Sequence, residues 1–275
     1  KDSKKTKWTF NPNSKSTIVV DKDDNKNIIL LSYEEEKATV IYKYQDEFKN
    51  KLRTSKKQLA QIGSIYIPEP ENVIEDEQGK VWEYKKTNVE KIEVKENEQE
   101  NVIEVTYIPL LAEIELNIKN KKGDLLTKQT EKAQLGSVFS PNIDEKIFDK
   151  DSLMYKFVKC SPHELTVKEV PLGATEKLNV FELIYEPVYS NVSIAFQDID
   201  GNKLKEDDTI QLQVGTRYTP KLIQFIKDKN GIQWENISKE VETIRVMENT
   251  KDNMIKMTYE LAKAEVVQRL RRKHN

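Results

Sequence analysis

One seven-residue pattern occurs three times in the sequence, and this repetition constrains the fold more than any other feature. The stretches are "IGSIYIP" at 62–68, "LGSVFSP" at 135–141 and "VGTRYTP" at 214–220. They share a glycine, a small hydroxyl residue, an aromatic residue and a proline, and their glycines are 73 and 79 residues apart. A regular spacing of this kind predicts tandem structural repeats, which place other residues at the same offsets from each marker.

Three further residue types recur at the expected offsets. Nineteen residues after each glycine stands a large aromatic residue: Trp82, Tyr155 and Trp234. Ten and twelve residues later come two aliphatic residues: Ile92 and Val94, Leu165 and Val167, Ile244 and Val246. Each copy closes on a tyrosine: Tyr107, Tyr185 and Tyr259. The middle copy is five residues longer before its tyrosine, which matches an insertion "PLGAT" at 171–175 in a hairpin loop.

The N-terminal segment keeps the later offsets of a repeat but lacks the seven-residue pattern. Trp8, Ile18, Val20 and Tyr33 have the same spacing as the second half of the other copies. The offsets therefore predict five segments: the C-terminal half of a preceding repeat (1–37), repeat 1 (38–112), repeat 2 (113–190), repeat 3 (191–262) and a basic helical tail (263–275). An alternative division of the chain, in which each unit begins at the tryptophan, also agrees with the offsets. The prolines after Tyr107 and Tyr185 favour the first division.

The hydrophobic pattern predicts a mainly β fold with one short helix per repeat. Val192, Ile194 and Phe196 alternate with polar residues, as a half-buried strand requires. Proline is tolerated in the first turn of a helix, so the apolar stretch that begins at Pro220 predicts a short helix. The resulting order is β-β-α-β-β-β. We expect an α+β class with tandem β-grasp, ubiquitin-like repeats that form an elongated rod, followed by a C-terminal helix in 263–275.

The repeated pattern itself has a structural interpretation. We expect the glycine to end a strand where no side chain fits or where φ turns positive. The aromatic residue would anchor the chain in the core, and the proline would fix the start of the helix. This interpretation assigns the pattern to the scaffold rather than to direct ligand binding.

The repeats resemble the MucBP (mucin-binding protein) repeats of Gram-positive surface proteins. The resemblance rests on "FQDIDGNKL" at 196–204, "GTRY" at 215–218 and "KMTYE" at 256–260, with weaker counterparts in repeats 1 and 2. It implies a bacterial cell-surface protein, usually attached to the cell wall, whose tandem modules form a stalk. Mucin or another host glycoprotein is the partner that it suggests.

Composition excludes several other classes. The net charge is −2, with 45 basic and 47 acidic residues, which argues against a dedicated nucleic-acid binder. No apolar run is long enough for a membrane span. One cysteine and two histidines leave little for disulfide, metal or acid–base chemistry. The chain begins with lysine, so we expect a mature or excised segment whose targeting signal lies outside it. We predict no catalytic residue, no metal and no cofactor.

Few residues qualify as candidate sites. "DIDGN" at 198–202 and "DKDDN" at 21–25 resemble parts of calcium loops, but the first lacks the required spacing and both are typical of turns. Cys160 and His163 stand three apart in one copy only, which favours sequence drift over a nucleophile pair. Trp8, Trp82 and Trp234 are candidates for ligand binding, although their regular spacing favours core packing.

We therefore predict a non-enzymatic, extracellular repeat region that acts as a stalk, an adhesin or both. It would be a monomeric rod on the bacterial cell wall and would bind a host glycoprotein or glycan. A scaffold or spacer region of a larger extracellular or wall-associated enzyme is the alternative.

Overall fold

The computed structural model of the chain describes residues 5–14, 17–171, 178–238 and 240–263. Within these ranges the chain forms β-strands and three short 3-10 helices, and no α-helix. The predicted α+β class is therefore wrong, and so is the β-grasp arrangement, which needs a helix packed on the sheet. The fold is all-β.

The strands follow the same order in each copy. Before repeat 1 the elements are β1 (Trp8–Phe10), η1 (Asp24–Lys26) and β2 (Tyr33–Glu35). Repeat 1 contains β3 (Lys37–Gln45), β4 (Lys51–Gln61), β5 (Ile65–Tyr66), β6 (Val73–Glu75), β7 (Val81–Thr87), β8 (Ile92–Glu93), η2 (Glu98–Glu100) and β9 (Val102–Pro109). Repeat 2 contains β10 (Leu111–Asn120), β11 (Leu125–Gln134), β12 (Val138–Phe139), β13 (Lys146–Phe148), β14 (Met154–Ser161), β15 (Leu165–Thr166) and β16 (Val180–Pro187). Repeat 3 contains β17 (Tyr189–Asp198), β18 (Asp208–Gln213), β19 (Arg217–Tyr218), β20 (Phe225–Lys227), β21 (Gln233–Asn236), β22 (Ile244–Arg245), η3 (Thr250–Asp252) and β23 (Met254–Leu261).

Each repeat builds one five-stranded sheet and one two-stranded sheet. In repeat 1 the strand orders are β4-β3-β9-β7-β6 and β5-β8, and repeats 2 and 3 have the corresponding orders. The first and last strands of each repeat pair in parallel at the centre of the sheet, and the other recorded pairings are antiparallel. Because these two central strands are far apart in sequence, a repeat closes its sheet only when its last strand is present.

The chain divides into two compact units. The first comprises Lys1–Ile114, Glu131–Phe139 and Glu164–Asn179, and the second comprises Glu115–Thr130, Ser140–His163 and Val180–Asn275. Repeat 1 thus lies entirely in the first unit and repeat 3 in the second, while repeat 2 contributes to both. Each unit contains a junction between consecutive repeats.

The alternating residues form the core as the sequence predicts. In repeat 1 the alternate residues Val40, Tyr42 and Tyr44 of β3 are buried, because successive side chains of a strand point to opposite faces of the sheet. In repeat 3 the predicted residues Val192, Ile194 and Phe196 of β17 are buried in the same way. The closing tyrosines are fully or almost fully buried: Tyr107, Tyr185 and Tyr259.

The segment predicted to be helical is extended because its backbone is bonded to neighbouring strands. After Pro220 the chain runs to the edge strand β20, in which Ile226 is buried and its neighbours are exposed. The Tyr259 hydroxyl donates to the Ile223 carbonyl at 3.0 Å, and the Asn236 amide donates to the Gln224 carbonyl at 2.8 Å. A short isolated helix has a costly nucleus, so these partners outside the segment decide its conformation.

The predicted C-terminal helix lies almost wholly in 264–275, outside the described residues. Arg269 and the other basic residues of the tail are therefore not placed. In the part of the chain that the structure covers, no helix has the length and apolar character needed to cross a membrane.

The N-terminal segment has the geometry of a repeat's second half. In β1 and β2, Trp8 lies opposite Glu35, two residues beyond Tyr33. The complete repeats have the same register: Trp82 with Pro109, Tyr155 with Pro187 and Trp234 with Leu261. Burial differs between the two segments: Val20 is 81% exposed, whereas its counterpart Val94 is 1% exposed and packs in the core of repeat 1.

Candidate functional site

The glycine of the seven-residue pattern lies at the junction with the preceding repeat. Gly136 of repeat 2 has φ +79°, and a Cβ atom there would lie 1.9 Å from the carbonyl oxygen of Gly79 in repeat 1. Gly215 of repeat 3 would meet the Ser152 carbonyl of repeat 2 at 2.0 Å. Both expected reasons for glycine, a positive φ and a lack of space, are therefore confirmed.

A closed triangle of backbone hydrogen bonds joins consecutive repeats at this point. In the first unit the Val81 amide donates to the Leu135 carbonyl, the Leu135 amide to Leu110, and the Leu110 amide back to Val81, at 2.9, 2.9 and 3.1 Å. Two further triangles have the same geometry: Met154, Val214 and Val188; Lys7, Ile62 and Glu36. Each triangle satisfies three backbone N–H groups and three backbone carbonyls that would otherwise lack partners at the ends of strands.

A glutamine side chain reinforces each complete junction. Gln134 and Gln213 stand two residues before the glycine, and each donates its side-chain amide to a triangle carbonyl, Val81 or Met154, at 3.0 Å. Gln61 has the equivalent position, but its buried amide nitrogen has no partner among the described residues. The sequence shows Gln-x-Gly in all three copies, so this glutamine could have been found by extending the pattern by two residues.

The three candidate tryptophans already donate hydrogen bonds from their indole N–H groups. Trp82 donates to Asp76 at 2.9 Å and Trp234 to Asp228 at 3.3 Å, and both are partly buried against their cores. Trp8 is 38% exposed and donates to the Thr6 hydroxyl. These contacts occupy the indole N–H group, the single hydrogen-bond donor of each side chain. A ligand-binding role for the three tryptophans stays a prediction.

The aspartates beneath these rings are held in the charged form. Burial by itself raises the pKa of Asp76, but hydrogen bonds from the Trp82 indole and from the Lys80 and Gln78 amides outweigh it, so the pKa lies below the ordinary value of an aspartate. Burial and the opposing hydrogen bonds act in the same directions on Asp228, whose pKa is also lowered. The aspartate therefore fixes the turn before the tryptophan strand.

A repeated buried asparagine was not predicted from the sequence. The side chain of Asn253 accepts from the Met247 amide at 2.7 Å and donates to the Met247 carbonyl at 2.7 Å and to Asn191. Equivalent asparagines stand six residues before the closing tyrosine in every copy: Asn27, Asn101 and Asn179. The constant offset was the available signal, but polar positions are seldom searched for core residues.

The turns that resemble calcium loops are closed by their own hydrogen bonds. The Asp198 carboxylate accepts from the amides of Asp200 and Asn202, as expected for a plain turn. Asp23 caps the 3-10 helix η1 by accepting from the Asn25 amide. Among the described residues, no group of three or more His, Cys, Asp or Glu side chains is arranged to hold a metal ion.

Cys160 is packed in the core of its repeat rather than presented for chemistry. The side chain is buried, and its thiol donates to the Pro162 carbonyl at 3.1 Å. Burial raises the pKa of the Cys160 thiol, which disfavours the reactive thiolate. His163 is exposed, and no hydrogen bond between the two side chains is present in this described segment.

Comparison with known families identifies part of the chain. Residues 191–265 match the MucBP domain family. Repeat 3 is a MucBP-type repeat. The family resemblance inferred from the sequence is thereby confirmed for this repeat, which includes the Gly215 junction and the closing Tyr259. The MucBP match supports a surface-protein repeat region of the Gram-positive type, which is the coarse part of the predicted function.

Other comparisons give weaker similarities. Domains 3–4 of the SHIRT repeats of a streptococcal cell-surface protein have 11% identity and a TM-score of 0.25, covering 54% of this chain and 96% of that one. The Bacillus anthracis TIE protein has 14% identity and a TM-score of 0.33, covering 86% of this chain and 54% of that one. Similarity this low supports no inference about function. No curated protein matches the chain.

Proposed function

We propose that this chain is a non-enzymatic repeat region of a bacterial cell-surface protein and that it acts as a stalk with adhesive surfaces. Its partner would be an extracellular ligand, with a host glycoprotein as the first candidate. The protein would be attached to the cell wall and would work as a monomer.

The triangle of backbone hydrogen bonds at each junction is the observation that supports the proposed stalk function. A flexible tether between modules is typically rich in glycine and serine. Here the residues after the last strand of one repeat, such as Leu110, bond directly to the next repeat through backbone atoms. The same closed set recurs at Val188, so one rule for joining repeats is used along the chain. Repetition of a bonded junction favours a spacer that keeps its ligand surfaces away from the cell.

The adhesive role rests on the family and on the surfaces of the repeats. Buried positions agree between repeats, but exposed positions equivalent to each other carry different side chains. Phe48, Lys122 and Asp200, for example, occupy the same place in the three hairpin turns. A scaffold with variable exposed positions can present distinct surfaces for a ligand.

A binding measurement tests this function. Purified chain is passed over an immobilised mucin-type glycoprotein and, as the matched control, over the same glycoprotein after enzymatic removal of its glycans. We expect binding to the intact glycoprotein and a sedimentation coefficient of an elongated monomer. No binding to either surface would refute the adhesive role, and a compact hydrodynamic shape would refute the stalk.

A further inference from the structure

Two arginines face each other in repeat 3 in an arrangement that the fold does not require. Arg217 of β19 pairs with Arg245 of β22, so their side chains leave the same face of the two-stranded sheet. Like charges directly opposite each other destabilise a sheet. The equivalent pairs are Ile65 with Glu93 in repeat 1 and Val138 with Thr166 in repeat 2.

The positive charge of this arginine pair is not neutralised within the described part of the chain. Neither guanidinium forms an ion pair there, and the recorded contact of Arg245 is a 3.4 Å hydrogen bond to the Ser152 carbonyl. Asp151 lines the same cleft, while Glu248 is bonded to Lys146 at 2.6 Å. An anion that enters the cleft would therefore meet two available guanidinium groups.

An apolar cleft adjoins the arginine pair within the second compact unit. Its volume is about 530 Å³, and Arg245 lies on its wall beside Met154 and Val214. Phe148 and Met247 border it and are 59% and 49% exposed. Small-molecule sites combine an apolar surface with a few polar groups, and clefts of this size are typical of them.

The apolar border is also specific to this junction. At the junction between repeats 1 and 2, the positions of Phe148 and Met247 are taken by Glu75 and Lys168. Two arginines and two exposed apolar residues have thus replaced ordinary surface residues at one place. The junction between repeats 1 and 2 forms without these arginines and apolar residues. The replacements therefore indicate ligand binding rather than a requirement of the fold.

We propose that this junction cleft binds an acidic sugar residue of a glycan. The two guanidinium groups would hold its carboxylate or sulfate through charge-assisted hydrogen bonds. The cleft beside Phe148 and Met247 would hold an apolar substituent, such as the methyl of an N-acetyl group. This assignment rests on the proposed adhesive function and names the class of ligand and its site.

The test compares three trisaccharide or disaccharide probes by NMR titration of the full chain. Sialyllactose supplies a carboxylate and an N-acetyl group, sulfated lactose supplies a sulfate alone, and lactose is neutral. We expect an acidic probe to bind at least tenfold more tightly than lactose, and to weaken as salt is added. A preference for sialyllactose assigns the carboxylate source, and a preference for sulfated lactose assigns the sulfate source.

Residues taken from the equivalent positions of the other repeats give variants that we expect to keep the fold. The double variant Arg217→Val with Arg245→Thr carries the residues of repeat 2 and should lose at least tenfold in affinity for acidic probes. The double variant Phe148→Glu with Met247→Lys, which leaves the net charge unchanged, should weaken sialyllactose more than sulfated lactose. Lys229→Gln with Lys251→Gln removes two positive charges from repeat 3 and should bind normally. Thermal unfolding of each variant checks that the fold is retained.

Several outcomes would overturn the assignment. Unchanged affinity of the arginine variant for acidic probes refutes the site. An equal loss of affinity in the lysine control would show that the effect comes from the overall positive charge of repeat 3 and not from the arginine pair. Binding of a polyglutamate peptide as tight as that of the sugars refutes the glycan class. If the intact glycoprotein still binds while acidic probes do not, the cleft assignment fails and the adhesive function stands. If the glycoprotein itself does not bind, the proposed function fails separately.

Discussion

Replacing Gly136 by alanine tests whether the seven-residue pattern marks the junction between repeats. The new Cβ atom would stand 1.9 Å from the Gly79 carbonyl oxygen and 2.8 Å from its carbon. Relief of this overlap needs a displacement of more than about 1 Å, since a Cβ and a carbonyl oxygen at van der Waals contact are more than 3 Å apart. The bonds from Val81 to Leu135 and from Leu135 to Leu110, both 2.9 Å, would not survive such a movement.

The magnitude follows from two contributions. A non-glycine residue at positive φ costs about 1 kcal/mol. The displacement breaks the two backbone hydrogen bonds that join Leu135 to repeat 1, each with a net value of about 1 kcal/mol. The Gly136→Ala variant should therefore destabilise the junction by about 3 kcal/mol. Gly123→Ala is the matched control, because Gly123 also has positive φ, +91°, but nothing lies within 4 Å of its added Cβ. The control should lose only about 1 kcal/mol.

Amide hydrogen exchange measured by NMR gives the readout at the junction itself. The Val81 and Leu135 amides, which donate the two broken bonds, should exchange roughly a hundredfold faster in Gly136→Ala, since each 1.4 kcal/mol is a factor of ten. The Val188 and Val214 amides of the other triangle should change little. Equal effects of the Gly136 and Gly123 variants on all four amides would refute the reasoning, because strain alone would then explain the glycine.

Four further predictions concern single side chains. Asn253→Ala leaves buried backbone groups without partners and should cost about 2–4 kcal/mol in urea unfolding, whereas the more exposed Asn27→Ala should cost much less. The pKa of Asp76 is lowered in the fold, so its contribution is present above about pH 4 and is lost as the pH falls through the folded-state pKa. Asp76→Asn should therefore lower the urea midpoint at pH 7 and flatten its acid dependence. Trp234→Ala should cost about 3 kcal/mol and leave glycoprotein binding intact; normal stability with lost binding would contradict this. Cys160 should react with a thiol reagent only on unfolding, and rapid reaction of the native chain would contradict its burial.

The repeat pattern and the strand faces could be predicted from the sequence because they depend on local periodicity. The alternation of Val192, Ile194 and Phe196 specifies one buried face whatever the partner strand is. The offsets from the glycines also identify equivalent residues correctly, as the shared register of Trp82 and Trp234 with the closing strand demonstrates.

The helix prediction failed because it considered only the segment after the proline. Proline and an apolar cluster are compatible with a helix start, but they are equally compatible with an extended edge segment. The deciding groups are the Tyr259 hydroxyl and the Asn236 amide, which bond to Ile223 and Gln224 from strands later in the chain. The same tyrosine contact recurs from Tyr107 to Glu71 and from Tyr185 to Asp144, so a tertiary interaction sets this backbone in all three repeats.

The junction geometry also separates the residues that the fold requires from those left free for binding. The triangle at Val81, Leu110 and Leu135 uses backbone atoms, so it needs a glycine nearby but places no demand on side chains that point outward. Those outward positions can change from one junction to the next without a loss of stability. Residues that agree between repeats, such as Trp82 and Trp234, are then best explained by the scaffold. Residues that differ between repeats, above all Arg217 and Arg245, lie at positions that the fold does not constrain. We propose that ligand binding determines the side chains there.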